Sequence, residues 1–186
     1  MNSPQQAKQS EARPDADFLP YCSVIAMPIS LLERRRIEAQ FAKAIFDVLS
    51  EETGRARAVE LLSQAVIRLA IESGAAFAAQ ARQPRDADPP DLLAYADVLA
   101  VWLEDNALTI DLTAQAKNRL EFNVKRCRYA EMYCELGIPD LGRVLSCNRD
   151  GAFCTGFNPA IQLTRTQTIM EGAEFCDFRY TLPEQS

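Results

Sequence analysis

Hydrophobic residues recur along this chain with two different periods, and the change falls near Asn106. Before it the period is helical. Ser30-x-x-Glu33 is a capping box, in which the serine hydroxyl and the glutamate side chain close N–H groups that a helix start leaves open. Ile37, Phe41, Ile45, Val48 and Leu49 follow at helical spacing until Thr53-Gly54 breaks the run. A second, alanine-rich helix is predicted from about Arg55 to Arg82, with Leu62, Val66, Leu69 and Phe77 near one face. So many small side chains imply close helix–helix packing. Pro84, Pro89 and Pro90 end it, because proline lacks the donor that a helix interior needs. Asp91 caps a third helix that runs to about Glu104 and buries Leu92, Leu99 and Leu103.

After Asn106 the period is two. Leu108, Ile110 and Leu112 alternate with Thr109, Asp111 and Thr113, and Leu120, Phe122 and Val124 alternate with Glu121, Asn123, Lys125 and Cys127. This is the pattern of antiparallel strands, joined here around Lys117-Asn118. Short helices are predicted over residues 129–136 and 140–145, separated by Gly137-Ile138-Pro139. The stretch SCNRDGAFCTGFNP reads as a loop, since Asp150-Gly151 and Asn158-Pro159 are turn dipeptides. RTQTIMEGAEFCDFRY, residues 165–180, reads as a hairpin turning at Glu171-Gly172. Strands are thus expected near 107–114, 118–126, 160–170 and 174–181. The fold class is α+β: an N-terminal helical half packed on a C-terminal antiparallel four-stranded sheet. One domain is expected over 18–186, behind a polar, disordered tail over 1–17.

Charge and composition narrow what such a domain does. The net charge of −6 argues against a nucleic-acid partner, because phosphate contacts need a basic surface. The apolar runs read as too short to cross a bilayer, and the N-terminus shows no apolar signal region. A cytoplasmic protein acting on a small molecule is expected, with self-association left open. Six cysteines, Cys22, Cys127, Cys134, Cys147, Cys154 and Cys176, contain no CxxC pair and read as free thiols in a reducing compartment. There is no histidine. That excludes Ser-His and Cys-His catalytic pairs and the HExxH zinc helix, so chemistry falls to thiols, carboxylates, hydroxyls, cations or water.

The final hairpin is too polar for a plain one, with Arg165, Thr166, Thr168, Cys176, Asp177 and Arg179 close together. A sheet face covered by helices around a pocket explains this, since free thiols prefer burial. Asn123, Lys125 and Cys127 share one face by their spacing of two. Cys147 is either a small buried hydrophobe or a reactive thiol whose pKa Arg143 and Arg149 would lower. Asp150 is either an ordinary turn residue or a group that clamps a cation or activates water. Asp177 either shares that work or pairs with Arg165.

The segments FNVKRCRYAEMYCELGIPDLGRVLSCNRD, GFNP and LTRTQTIMEGAEFCDFRY resemble the signature of the L-2-amino-thiazoline-4-carboxylic acid hydrolase family. LLERRRIEA and the alanine-rich helix resemble its N-terminal half, so the resemblance covers nearly all of residues 28–180. It implies hydrolytic opening of a cyclic isothiourea, from a 2-amino-thiazoline carboxylate to an N-carbamoyl-cysteine. The matching positions are Asn123, Cys127, Tyr129, Tyr133, Cys147, Asp150, Thr166, Thr168, Cys176, Asp177 and Arg179, whereas Cys22, Cys134 and Cys154 fall outside the motif. On that reading Cys147, Asp150 and Cys176 are the catalytic candidates. Asn123, Cys127, Thr166, Thr168, Arg165, Asp177 and Arg179 are the substrate-binding ones. A substrate carboxylate is expected on Arg179 or Arg165, with Arg126 third. No cofactor is expected; the competing arrangement is zinc on Cys127, Cys147 and Cys176, with Asp150 beside the open position. The alternative class is a non-catalytic protein that binds a small amino-acid-like ligand in the same pocket.

Overall fold

The computed structural model describes residues 29–82 and 89–183. The tail expected over 1–17, Cys22 and most of the proline-containing linker lie outside the described residues. α1 (Leu31–Thr53) starts at Ser30, whose hydroxyl accepts the Glu33 N–H at 3.3 Å. α2 (Arg55–Arg82) follows Gly54, and α3 (Leu92–Leu103) is capped by Asp91, whose Oδ1 accepts the Leu93 and Ala94 N–H groups at 3.0 Å each. The α1 stripe is helical as predicted but faces the wrong way. Leu32, Ala39 and Phe46 are buried, while Ile37, Phe41, Ile45 and Val48 lie on the exposed side.

β1 (Leu108–Ala116) and β2 (Arg119–Cys127) form the first antiparallel pair. α4 (Arg128–Glu135), α5 (Pro139–Gly142), a π-helical turn (Arg143–Cys147) and α6 (Asn148–Phe157) come next. β3 (Gln162–Thr164), a 3₁₀ turn (Ile169–Glu171) and β4 (Cys176–Thr181) complete an antiparallel sheet of order β1-β2-β4-β3. The α+β architecture is as read from the sequence; two local expectations are not.

First, residues 146–157 are not a loop, although Asn158-Pro159 does turn, with the Ile161 N–H donating to the Asn158 carbonyl at 3.0 Å. Asp150 sits in the first turn of α6, where the helix dipole favours an acid. The glycines nearby serve close approach. A Cβ on Gly156 would lie 2.0 Å from the Ile71 carbonyl oxygen, and one on Gly74 would lie 2.2 Å from that of Phe153. α2 and α6 therefore cross nearly backbone to backbone, which is what the small residues of α2 permit. Second, the final hairpin pairs over three residues only, Gln162–Thr164 against Thr181–Arg179. Beyond Thr164 the chain leaves the ladder, because the Asp177 side chain takes the N–H groups of Thr166 and Gln167 at 2.9 Å each.

Helices cover one face of the sheet, burying Leu120, Phe122, Val124, Cys176, Phe178 and Tyr180. The buried residues fall into two clusters, one around this face with α3 and α6, the other around α1, α4 and the 138–145 segment. α2 serves both, through Ala58, Leu62 and Val66 in one and Ala78 in the other. By length and composition alone α2 reaches what a membrane-crossing helix needs over Arg55–Ala81, so the expectation that no apolar stretch is long enough does not hold for it.

Candidate active site

A cavity of about 300 Å³ lies at the seam of the two clusters. Its apolar walls are Phe122, Val124 and Phe178 of the sheet, Phe77 of α2, Trp102 of α3 and Phe153 of α6. Its polar end carries Cys127, Cys147, Asp150, Arg165 and Cys176, together with Arg35, Glu38 and Arg149.

Two backbone irregularities aim these groups. In β1–β2 pairing, Arg126 faces Thr109 but Val124 faces Ile110, so Lys125 is an extra, bulged residue. A bulge reverses the alternation beyond it. Cys127 therefore joins Val124 on the cavity face, and the predicted face of Asn123, Lys125 and Cys127 does not exist. The π turn then brings Cys147 to the cavity at the start of α6, with Asp150 three residues on along the same wall. Asn148 fixes the junction by donating to the Ser63 hydroxyl at 2.9 Å.

Asp150 accepts a short hydrogen bond from Arg165 through Oδ2, so the predicted pairing of Arg165 with Asp177 is replaced. Arg165 also donates to the Cys147 carbonyl at 3.3 Å, and its guanidinium stands 5.0 Å from the Phe178 ring centroid. About 21% of the Asp150 side chain is accessible, and the residue lines the cavity. Burial accordingly pushes its carboxyl above the usual range, against the opposing charges of Arg165, Arg149 and Arg35. The thiols move the same way. Burial raises Cys127 to about 11. Cys147 rises to about 12, by burial first and by the Asp150 charge second, with Arg165 opposing. Burial also raises Cys176, whose Sγ accepts the Ile169 N–H at 3.2 Å. Of the two readings the sequence left open for Cys147, the upward direction of its pKa fits the buried thiol and not activation by Arg143 and Arg149. Arg143 is exposed and paired with Glu171 at 3.2 Å, Arg149 with Glu38, and burial dominates.

The other candidates do not line this cavity. Asn123 and Arg179 face the outer side of the sheet, where Arg179 donates to the Asn123 side-chain oxygen at 2.8 Å and to the Phe122 carbonyl at 3.0 Å. Asp177 also accepts the Thr166 hydroxyl at 2.7 Å. Desolvation is the largest single influence and opposes it, but together the bonds from the Thr166 hydroxyl and the Gln167 and Thr166 N–H groups hold its carboxyl below the usual range. Thr168 is buried and caps the 3₁₀ turn, accepting the Glu171 N–H at 3.2 Å. Arg126 is clasped by Glu131 at the exposed surface at 2.7 and 2.9 Å. Cys154 is a core thiol, 3.2 Å from the Tyr95 hydroxyl and from the Asp150 carbonyl, and Cys134 is exposed.

Sequence reasoning missed Arg35 and Glu38, and named Arg149 only as a source of charge for Cys147. The one signal was Arg34-Arg35-Arg36 at the start of a helix, where the dipole disfavours cations. Among the described residues no group of three or more His, Cys, Asp or Glu side chains has the geometry to hold a metal ion.

An apolar cavity with a few charged and thiol groups gathered at one end is the general form of a small-molecule pocket. The sequence profile of the L-2-amino-thiazoline-4-carboxylic acid hydrolase family matches residues 34–180, and the chain belongs to that family, one named for hydrolase activity. No individually curated protein matches the chain.

Proposed function

We propose that this protein opens a 2-amino-thiazoline-4-carboxylate, or a close cyclic amidine, by adding water at the carbon between nitrogen and sulfur. The observation that carries this reading is the buried Asp150–Arg165 pair beside Cys147 at the polar end of a ring-sized cavity. Among the described residues only Oδ2 of Asp150 is engaged, so Oδ1 is the acceptor for an amidinium N–H. Such a ring brings positive charge to the place where Asp150 holds the Cys147 proton. It offsets that hold.

Cys147 Sγ then bonds to the amidine carbon, and its proton passes to Asp150. The ring carbon–sulfur bond breaks, and the leaving sulfur takes the proton back from Asp150. Water adds to the same carbon of the Cys147 adduct and gives one proton to Asp150, which passes it to Cys147 as that bond breaks; the second proton leaves to solvent as the neutral urea carbonyl forms. The products are an N-carbamoyl amino acid with a free thiol and the restored enzyme; one water is consumed. A carboxyl whose pKa is raised by burial suits this alternation of base and acid. Cys127 and Cys176 line the pocket, and no step uses a metal.

The test is turnover followed by mass spectrometry. Wild-type protein should add the mass of one water to 2-amino-thiazoline-4-carboxylate, and chelator should leave the rate unchanged. Cys147→Ser and Asp150→Asn should each lower kcat by at least about 10²-fold, the scale of losing a nucleophile or its proton acceptor. Absence of water gain on any of a panel of such rings overturns the reading.

A further inference from the structure

We propose that Arg35 and Arg149 form a carboxylate-binding subsite on the helical wall of the cavity, with Glu38 as its resident counter-ion. The proposal rests on the ring-opening reading and adds the part of the substrate that the reaction itself does not touch. Both guanidiniums donate to one oxygen, Glu38 Oε2, at 2.6 Å from Arg35 and 3.0 Å from Arg149. Two cations on one carboxylate leave one positive charge uncompensated, on side chains only 18% and 15% exposed. A desolvated, unbalanced charge is costly unless an anion completes it. Burial first, and Arg35 second, accordingly weaken the hold of Arg149 on its proton.

The remaining donors fit the task. Arg149 uses Nε on the Leu145 carbonyl at 2.7 Å and Arg35 makes no other hydrogen bond among the described residues, so N–H groups remain on both. A guanidinium fork matches a planar carboxylate in two parallel bonds. Of the other cations, Arg34 also lines the cavity but is exposed. Arg165 is committed to Asp150, the Cys147 carbonyl and the Phe178 ring, and Arg179 and Arg126 do not line the cavity. The sequence run makes sense on the same ground. Arg36 is anchored to Glu135 at 2.8 Å, while Arg35 is turned inward. A cation run that local helix chemistry disfavours is expected where a ligand uses the charge. Arg149, Asp150 and Cys147 all line the cavity, so a ring with carboxylate on the arginines and amidine on Asp150 has Cys147 within the same pocket. The class of ligand is a small cyclic amidine bearing a carboxylate, and the carboxylate-free ring is the one the subsite rejects.

Equilibrium binding to the Cys147→Ser protein tests this without turnover, using 2-amino-thiazoline-4-carboxylate and 2-amino-thiazoline as paired ligands. The carboxylate form should bind at least about tenfold tighter, the effect of one charge-assisted bidentate pair. Adding Arg35→Met or Arg149→Met should cut that preference to about two- to threefold. Adding Glu38→Gln should raise it, because the arginines lose their competing anion; a merely structural trio predicts no such gain. Should Arg149→Met fail to fold, Arg35→Met and Glu38→Gln carry the test. Folded variants that keep the full preference, or that lose both ligands equally, overturn the subsite, as does a parent protein that binds neither ring. A wild-type protein without turnover whose Cys147→Ser form keeps the preference would sink the reaction reading and leave the subsite standing.

Discussion

Cys147 holds its proton more tightly than a thiol in water does, although it is the candidate nucleophile. Its folded pKa of about 12 lies above the ordinary 9.0, so the neutral thiol is the form the fold favours. That contribution is fully present below about pH 9 and is lost as pH rises towards 12. Iodoacetamide at neutral pH should therefore label exposed Cys134 well before Cys147 or Cys127, and denaturant should erase the difference. An alkylating ring analogue should reverse the order, because the amidinium supplies the charge the empty site lacks; peptide mapping reads both outcomes. Equal labelling of Cys147 and Cys134 by iodoacetamide would show that burial does not control the thiol. Asp177 behaves oppositely. Its carboxyl is held below 3.8, so its stabilisation is present above about pH 4 and is lost as pH falls below that. Asp177→Asn should lower the melting temperature at pH 7 and flatten its acid decline. Cys147, Asp150, Arg165, Cys127 and Cys176 were legible in the sequence because thiols and charges interrupt otherwise apolar or turn-like segments. Arg35 and Glu38 were not, nor was the pairing of Glu38 with Arg149, because those two meet across 111 residues and no local pattern says which arginine of a run turns inward.

Backbone irregularities, more than regular elements, decide which side chains meet. Period two in β2 predicts one face for Asn123, Lys125 and Cys127, and the bulge at Lys125 sends the last of them to the other side. Nothing in the residue types announces that bulge. The error over α6 has a different cause. Asn158-Pro159 does turn the chain after α6, but Asp150-Gly151 does not, because here an acid opens a helix and glycines let another backbone close in. α1, α2 and α3 were readable because their apolar repeats are long and capped at Ser30 and Asp91. The crossing makes a sharp prediction. Gly156→Ala or Gly74→Ala places a methyl where a carbonyl oxygen stands, and the neighbour is backbone that cannot rotate away. Each should destabilise by about 1–3 kcal/mol, an overpacking cost, which for a chain of this length lowers the melting temperature by roughly 2–12 °C. Gly151→Ala meets open space and should be neutral or stabilising. Similar melting curves for all three would mean that α2 and α6 do not approach this closely.

At the scale of the whole molecule the site is a joint between two cores. Leu108 and Cys127 pack against both buried clusters, and α2 threads through both, so the cavity sits where neither cluster is closed. The charge of the chain works on the same scale. The protein carries −6 overall, yet the cavity is lined by Arg34, Arg35, Arg149 and Arg165 against Glu38 and Asp150, an excess of two positive charges. On the proposed reading, the carboxylate of the ring answers the arginines of this cavity and its amidinium answers Asp150. Anything that binds the native state alone stabilises it by RT ln(1 + [L]/Kd), about 2.7 kcal/mol at one hundred times Kd. For a chain of this length that raises the melting temperature by about 5–11 °C. The Cys147→Ser protein allows the measurement with the substrate itself. 2-Amino-thiazoline-4-carboxylate should raise its melting temperature by this amount as a single shifted transition, because a ligand at the seam couples both clusters. Compared at equal concentration, the carboxylate-free ring should raise it less. A ligand that stabilises only one of two separable transitions would place the binding site inside one cluster, away from the seam, and no shift with either ring would remove this cavity as the substrate site.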